Sequence, residues 1–525
     1  MKRRRFIRDI TTASCVLIAG QYLSCSSLDK DSRPNILFAI ADDQTWQYLT
    51  NSKNSFLNTP NFYRVADQGV LFKNAFCAAP QCSPSRASIL TGRNIWQLEE
   101  AGTHGSLFPK KFSVYTELLG KSGYFVGFTG KGWAPGNWQI SGWKNNPAGV
   151  EFNKFTNTHT PTKFISNINY SKNFEDFLSQ RPKGKPFCFW YGGHEPHREY
   201  EEGSGIKAGK NPEDVKVPSF LPDTPEVKSD ILDYALEIEW FDKHLGFMLD
   251  KLEELGELEN TIVIVTSDNG MPFPRAKANN YEFGTHMPLA ISWPAKIKGG
   301  RSVDDLISFI DLAPTFLETA GLEVPSGVTG KSLLPLLLSN NNGLIDPDRN
   351  RVYNGRERHT HARPDNLGYP CRAVRTEKYL YIRNFKPERW PAGNPPEDEV
   401  SDAKSEPIGE GYYDIDGSPT KTFMINNKET YKGLFNAAFA KRPAEELYDI
   451  LSDPGCIHNL ADKKDLQEIR NELSTELERV LTRQGDPRML GYGDVFESYP
   501  RFMEMRQFPG FKEEGKYNPK YMISE

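Results

Sequence analysis

Four short apolar segments, each followed at once by polar residues, constrain the fold of this chain more than any other feature. They are NILFAIADD (35–43), YFVGFTGKG (124–132), PFCFWYGGHEPH (186–197) and TIVIVTSDNG (261–270). Continuous apolar runs of this length are typical of strands buried on both faces of a parallel sheet. A helical pattern separates the last two, with apolar residues on one face over 230–255. The alternation predicts an α/β fold with a mostly parallel central sheet flanked by helices.

The polar residues after these strands are expected to lie close together, because ligands of open α/β sheets bind outside the carboxyl ends of the strands. The residues in question are Asp42, Asp43, Lys131, His194, His197, Asp268 and Asn269. Taken separately, Asp42–Asp43 and Asp268–Asn269 also fit ordinary turns. Taken together, they offer three carboxylates and an amide oxygen, which suit Ca²⁺ or Mg²⁺ better than a softer metal.

The C-terminal part of the chain differs from the rest in its composition and in its pattern of predicted elements. A length of 525 residues exceeds what one hydrophobic core usually supports. After about residue 375 a predicted strand (RTEKYLYIRNF) is followed by a Pro-, Gly- and acid-rich stretch through 419 and a helix over 464–483. We therefore predict a catalytic domain over 30–375 and a smaller α+β subdomain with an antiparallel sheet, plus a tail, over 376–525.

Residues 1–25 are predicted to be an export signal. They contain a basic start (RRRFIR), a short apolar run around 13–20 and small residues before Cys25. The apolar run is too short to span a membrane. Both lipid attachment at Cys25 and simple cleavage fit this pattern, so the prediction is an exported protein, periplasmic or a surface lipoprotein of a bacterium.

Charge and cysteine content narrow the functional classes. The formal net charge is -5 and the basic residues form no stripe, so nucleic acid is not an expected partner. Five of the seven cysteines lie outside the signal region, widely scattered and without a CxxC pair. That pattern favours neither a disulfide framework nor structural zinc. Cys82, between two prolines, is then a buried filler, half of a disulfide or a reactive centre.

The string Cys82-Ser-Pro-Ser-Arg86, followed by Thr-Gly-Arg at 91–93, resembles the defining motif of the type I sulfatases. The resemblance extends over about 33–483. It implies an alkaline-phosphatase-like large domain, one Ca²⁺ ion, and a formylglycine that a maturation enzyme makes from Cys82. It also implies that the substrate is a sulfated saccharide.

The resemblance further implies roles for individual residues. The catalytic residues would be Cys82, Arg86, Lys131, His194 and Lys277, and the metal ligands would be Asp42, Asp43, Cys82, Asp268 and Asn269. His194 would protonate the leaving group, a suitable task for an imidazole. Trp133 stands where the family usually has a histidine beside the formylglycine. The base is therefore unassigned, and His104 is either a substitute for it or a substrate contact.

Within the family, the strings HEPHR, MPFP and YPCR resemble the sulfamidase (N-sulfoglucosamine sulfohydrolase) branch. That likeness implies N-sulfoglucosamine of heparin or heparan sulfate as the substrate. The alternatives are an O-sulfatase for another host or algal polysaccharide, and a catalytically impaired glycan-binding homologue. A phosphoester hydrolase would need histidines among the metal ligands, which the acidic pairs lack. The expected substrate-binding residues are His104, Glu357, His359 and Arg372, although the loop ERHTHAR (357–363) also fits a solvated surface.

Overall fold

An eight-stranded sheet forms the centre of the protein in a computed structural model that describes residues 33–48, 56–396, 411–505, 508 and 510–523. The predicted export signal, with Cys15 and Cys25, lies outside the described residues. The described residues from 34 onward form one compact unit. In the part of the chain that the structure describes, none of the helices has the length and apolarity of a membrane span.

The central sheet has the strand order β4-β3-β5-β1-β6-β7-β2-β8. Its strands are β1 (Asn35–Ala41), β2 (Gly69–Phe76), β3 (Phe125–Gly130), β4 (Val150–Glu151), β5 (Phe187–Gly192), β6 (Thr261–Ser267), β7 (His286–Ser292) and β8 (Arg301–Ser308). Only β7 runs antiparallel to its neighbours β6 and β2 within this sheet. The predicted mostly parallel α/β fold is confirmed.

Helices cover both faces of the sheet, and others, such as the one over 467–483, pack elsewhere in the protein. They are α1 (Pro60–Asp67), α2 (Cys82–Thr91), α3 (Tyr115–Lys121), α4 (Tyr170–Gln180), α5 (Ser204–Lys207), α6 (Pro225–Glu254), α7 (Glu282–Thr285), α8 (Leu312–Thr319), α9 (Leu334–Leu338), α10 (Pro419–Asn426), α11 (Lys432–Phe439) and α12 (Gln467–Arg483). Alternate residues of β1 serve opposite faces: Leu37 and Ala39 pack in the core with α6, whereas Ile36 and Phe38 pack in the core with α2, α3 and α8. The predicted helix over 230–255 is α6, which begins earlier because Pro225 suits a first helical turn.

A second, antiparallel sheet has the order β12-β11-β10-β9, formed by β9 (Arg351–Arg356), β10 (Cys371–Thr376), β11 (Tyr379–Asn384) and β12 (Glu445–Asp449). The single strand predicted over RTEKYLYIRNF is wrong, because this string contains the end of β10, a turn, and β11. The Thr376 hydroxyl closes that turn by accepting from the Tyr379 backbone N–H at 3.0 Å. The second sheet begins before residue 375, and the division into 30–375 and 376–525 stays a prediction.

Candidate active site

Four adjacent strands end at one edge of the central sheet. They are β3, β5, β1 and β6, and the chain continues from them into Lys131, His194, Asp42–Asp43 and Asp268–Asn269, respectively. Because these strands are parallel, their polar tails meet at the edge where α/β sheets bind ligands. The Asp43 backbone N–H donates to Asp268 Oδ1 at 3.1 Å, which joins the ends of β1 and β6.

Cys82 is the first residue of α2, a helix whose residues are all buried. Its Sγ lies 3.3 Å from Asp42 Oδ1 and 4.0 Å from Asp43 Oδ1. Burial, together with the Asp42 carboxylate, raises the pKa of the Cys82 thiol well above its usual range. Because the thiolate is the nucleophilic form of cysteine, the unmodified Cys82 side chain is a poor nucleophile.

Arg86 and Lys131 neutralise two of the carboxylates. Arg86 Nε donates to Asp268 Oδ2 at 2.7 Å, and Arg86 Nη1 donates to the Lys131 carbonyl oxygen at 2.7 Å. Lys131 Nζ forms an ion pair with Asp42. Burial by itself would raise the pKa of Asp42, but Lys131, His197 and Arg86 lower it well below its usual range. Asp42 is therefore ionised and can bind a cation at neutral pH.

Lys277 is the third buried cation of the site. Its Nζ lies 2.6 Å from Asp43 Oδ2, 3.1 Å from Asp416 Oδ2 and 3.1 Å from His197 Nε2. Asp416 belongs to the stretch just before α10, so residues far apart in the chain meet at this lysine. The lysine is held by two carboxylates and stays protonated, as a group that binds an anion must.

The oxygen donors fit a hard metal ion. One ligand atom from each of Asp42, Asp43 and Cys82 lies within 4.8 Å of the others. Asn269 Nδ2 donates to Asp43 Oδ1 at 2.7 Å, while Asn269 Oδ1 is buried with no hydrogen-bond partner among the described residues. A buried amide oxygen without a partner calls for an explanation, and coordination of a cation beside the carboxylates provides one.

A cavity of about 560 Å³ opens onto this cluster. It is lined by Asp42, Cys82, His104, Lys131, Ala134, Pro135, Phe164, Ser166, His194, Glu195, His197, Arg198, Glu237, Lys277, His359, Thr360, Asp416 and Met503. The cavity therefore joins the proposed nucleophile position, cationic side chains and several histidines in one space. That combination suits the binding and cleavage of an anionic ester or amide.

His194 reaches the cavity from the segment after β5, and its backbone N–H donates to the Tyr170 hydroxyl at 3.1 Å. Its side chain is open to the cavity, yet the surrounding protein and the Lys131 cation lower the pKa of His194 to about 4. The ring is thus neutral at pH 7 in the free protein. A bound anion would favour the protonated ring, which is the form that can donate a proton.

Comparison with known proteins shows which family has this arrangement. The family model described as Sulfatase matches residues 34–322. The chain belongs to the sulfatase family. A second model, described as N-sulphoglucosamine sulphohydrolase, C-terminal, matches residues 276–398 of this sulfatase. Both the predicted family and its predicted sulfamidase-like branch are confirmed.

Individual relatives agree with the family models. The sulfatase is 28% identical over 512 residues to the human N-sulphoglucosamine sulphohydrolase, covering 89% of this chain and 93% of the relative. It is 27% identical over 500 residues to an ulvan-active sulfatase of Formosa agariphila, covering 88% of this chain and 77% of the relative. Its fold matches that of a protein solved in complex with its substrate D-glucosamine-2-N,6-O-disulfate, with a TM-score of 0.61, 22% identity and coverage of 87% and 99% of the two chains.

Two of the predicted substrate-binding residues of this sulfatase, His104 and His359, line the cavity. His104 Nδ1 lies 3.3 Å from the His359 carbonyl oxygen, and the two rings are 4.6 Å apart. Because a carbonyl oxygen can only accept, this contact places the His104 proton on Nδ1 and leaves Nε2 with a lone pair. Burial and the neighbouring His359 lower the pKa of His104 well below its usual range. His104 is therefore a neutral hydrogen-bond acceptor.

The other two, Glu357 and Arg372, do not line the cavity. Arg372 donates to Glu357 Oε1 at 2.7 Å and to Asp486 Oδ2 at 2.7 Å, and Arg488 donates to Glu357 Oε2 at 2.6 Å. All four side chains are buried in this network. The network fixes the second sheet against the segment after α12, so the ERHTHAR loop is neither a solvated surface nor, at Glu357, a wall of the cavity.

Trp133 stands in the core beside the site. Its indole N–H donates to the Ser83 carbonyl oxygen at 3.0 Å, and its ring packs edge-on against Phe108. Its backbone is held by Asn146, whose side chain bonds both the Trp133 N–H and carbonyl. Trp133 thus holds the first turn of α2 in place through the Ser83 carbonyl. Its indole N–H can only donate a hydrogen bond, so Trp133 cannot act as the base.

Sequence reasoning missed three acidic residues that line the cavity: Glu195, Glu237 and Asp416. Glu195 lies within the HEPHR string, directly after His194, which is the residue of that string predicted to be catalytic. Glu237 carries the clearest overlooked signal, because Tyr234 and Phe241 place it on the apolar face of α6. Asp416 lies within the Pro-, Gly- and acid-rich stretch through 419, where no pattern distinguishes it from the other acidic residues.

Proposed function

We propose that this sulfatase releases sulfate from the nitrogen of N-sulfated glucosamine in a heparin- or heparan-type saccharide. The observation that carries the choice of substrate is the match of residues 276–398 to the C-terminal region of N-sulphoglucosamine sulphohydrolases. The same stretch supplies Lys277 and His359 to the cavity. The match thus includes two residues that line the cavity.

We propose further that Cys82 is converted to formylglycine by a maturation enzyme. The buried thiol with its raised pKa is poorly suited to act as a nucleophile itself. A hydrated formylglycine supplies an oxygen nucleophile at this position, and a bound Ca²⁺ supplies positive charge to the sulfuryl oxygens. Asp42, Asp43, Asp268 and Asn269 would hold the ion together with residue 82.

The remaining residues bind and transfer protons. Lys131 and Lys277 present cations to an anionic sulfuryl group, and Arg86 fixes Asp268 and the Lys131 backbone behind it. His194, protonated beside the bound anion, donates its proton to the departing amine, which otherwise leaves as a poor leaving group. Each of these side chains either lines the cavity or, like Arg86, hydrogen-bonds to a residue that does.

An O-sulfated algal or host polysaccharide is the second candidate substrate. It is supported by the ulvan-active relative, which is similar over nearly as much of the chain as the sulphohydrolase is. The third alternative is a catalytically impaired glycan-binding homologue, which is supported by Trp133 in place of a histidine. Export, and a lipid anchor at Cys25, remain proposals from the sequence of residues 1–25.

The test is sulfate release from a panel of saccharides by protein produced with a formylglycine-generating enzyme. The panel contains N-sulfated glucosamine, its 6-O-sulfated isomer and sulfated ulvan fragments. We expect release from the N-sulfated sugar, and a Cys82 peptide whose mass shows the aldehyde. Release only from O-sulfated sugars would favour the second candidate, and an aldehyde without any release would favour the third.

A further inference from the structure

Glu237 differs from the other buried acidic residues of α6. Asp230 binds Arg198 through both carboxylate oxygens, at 2.7 and 2.8 Å. Asp233 accepts from the Gly203 and Gly205 backbone N–H groups at 2.9 and 2.8 Å. Asp242 likewise accepts two backbone N–H groups at the start of α1. Each of these carboxylates holds a neighbouring segment in place.

No comparable partner explains Glu237. It is 2% exposed, and the one hydrogen bond that reaches its carboxyl from the described residues comes from the Thr162 hydroxyl at 3.4 Å. Burial, with a contribution from the nearby Glu195, raises the pKa of Glu237 to about 9. A buried carboxyl with so little compensation destabilises the fold, which marks it as a candidate for a functional role.

The surroundings of Glu237 form a wall of the cavity. Phe164, Ser166 and Glu195 line the same cavity. Glu195 is already satisfied, because its carboxyl accepts from the Ser166 backbone N–H at 2.9 Å and the Tyr170 hydroxyl at 2.8 Å. Phe164 remains 43% exposed, with the Lys163 ammonium 4.6 Å from its ring centre. This wall therefore offers an exposed aromatic ring and a carboxyl that has one long hydrogen bond.

An exposed aromatic ring and a buried carboxyl in the same cavity are suited to a pyranose. The ring can pack on the apolar face of the sugar, while the carboxyl bonds its hydroxyl or amino groups. With its pKa raised to about 9, the Glu237 carboxyl is protonated at neutral pH and offers an O–H donor and a carbonyl acceptor. The wall is thus suited to a group of the sugar that can both donate and accept a hydrogen bond, such as a hydroxyl.

We propose that Glu237 and Phe164 form a saccharide subsite in which the Glu237 carboxyl binds a hydroxyl or amino group of the sugar. The proposal deepens the proposed function and rests on it for the statement that the ligand is the saccharide substrate. It names Glu237 as a substrate-binding residue. The proton donor and the metal ligands are separate residues.

The direct test is binding of unsulfated sugars to the full chain with Cys82→Ala, which cannot turn over. The probes are methyl glucosaminide and methyl glucoside, with Kd measured by NMR titration. We expect Glu237→Ala to weaken the binding of both sugars by about fivefold to tenfold, the loss typical of one buried hydrogen bond. In Glu237→Gln, whose amide keeps a donor and an acceptor at the same place, we expect both sugars to bind within about threefold of the parent.

Thermal stability distinguishes this role from a structural one. Glu237→Gln removes an uncompensated buried carboxyl, so we expect its Tm at pH 8 to be at least that of the parent. The matched control is Asp233→Asn on the same helix, which replaces one of the two carboxylate oxygens that accept the Gly203 and Gly205 backbone N–H groups. We expect the control to lower Tm and leave sugar binding unchanged.

The proposal is overturned if Glu237→Ala binds the glucosaminide and the glucoside within about twofold of the parent, a difference too small for a lost hydrogen bond. A Tm loss in Glu237→Gln like that of Asp233→Asn would also overturn it. Failure of the proposed function looks different: the matured enzyme releases no sulfate from any saccharide, while sugar binding still depends on Glu237.

Discussion

The protonation of the His194 ring sets the pH range of its proposed role as a proton donor. With its pKa near 4 in the free protein, the protonated fraction falls about tenfold for each pH unit above that value. We expect kcat/KM for sulfate release to fall from about pH 5 upward, and kcat to fall only at higher pH, because bound sulfate favours the protonated ring. The measurement is a pair of pH profiles for the parent and His194→Gln. An unchanged slope in the variant would assign the titration to another group.

At this scale the sequence predicts residues that follow strands better than residues held by distant partners. Asp42, Lys131, His194 and Asp268 meet because parallel strands carry their tails to one edge, and that rule needs only the strand pattern. Arg372 was expected in the pocket, but its partner Asp486 lies on a segment whose position no local pattern reveals. The sequence shows which charge a residue carries, but it does not show which residue is its partner in the fold.

Among the elements, α2 depends on Trp133 for the position of its first turn. Replacement by Phe removes the hydrogen bond to the Ser83 carbonyl and keeps most of the packing, so we expect a loss of about 1 kcal/mol in the free energy of unfolding. We also expect kcat to fall with KM little changed, because residue 82 shifts relative to Asp42.

Trp143→Phe is the matched control for that prediction. Its indole N–H donates to the Phe108 carbonyl at 2.9 Å, a bond of the same kind away from α2. Urea unfolding and sulfate release, measured on both variants, compare their losses of stability and of kcat. Equal losses of kcat in the two variants would show that Trp133 has no special connection to the site.

The elements of the central sheet were the most predictable part of the fold. Apolar runs such as 261–270 contain the whole of a strand, because a strand buried on both faces carries few polar residues before it ends. The turn between β10 and β11 was missed because Thr376 and Tyr379 suit a strand by composition, while the hydrogen bond between them makes the turn.

For the whole molecule, a buried ion pair links the central sheet region to the second sheet. Arg375 of β10 donates to Glu282 of α7 at 2.6 Å, and both side chains are buried. Burial opposes ionisation of Glu282, but Arg375 and His286 together lower its pKa to about 2. The carboxylate therefore stabilises the fold above its unfolded pKa of 4.5, and that contribution is lost as the pH falls from 4.5 toward 2.

Glu282→Gln should accordingly lower the free energy of unfolding by about 3 kcal/mol at pH 7, because it leaves the buried Arg375 without its counter-ion. The difference from the parent should shrink as the pH is lowered through about 4.5. Urea unfolding at several pH values measures this, with Glu318→Gln on the exposed side of α8 as the control. A difference that stays constant with pH would show that the stabilisation does not depend on the charge of Glu282.

The burial of α2 also bears on the order of events in the cell. All ten residues of the helix are buried in the folded protein, and Cys82 is among the residues that line the cavity. A maturation enzyme of the kind proposed above would need the segment around Cys82 in an accessible form, which the packed helix does not offer. On that proposal, conversion of Cys82 precedes the packing of α2, and a faster-folding variant would retain more unmodified cysteine.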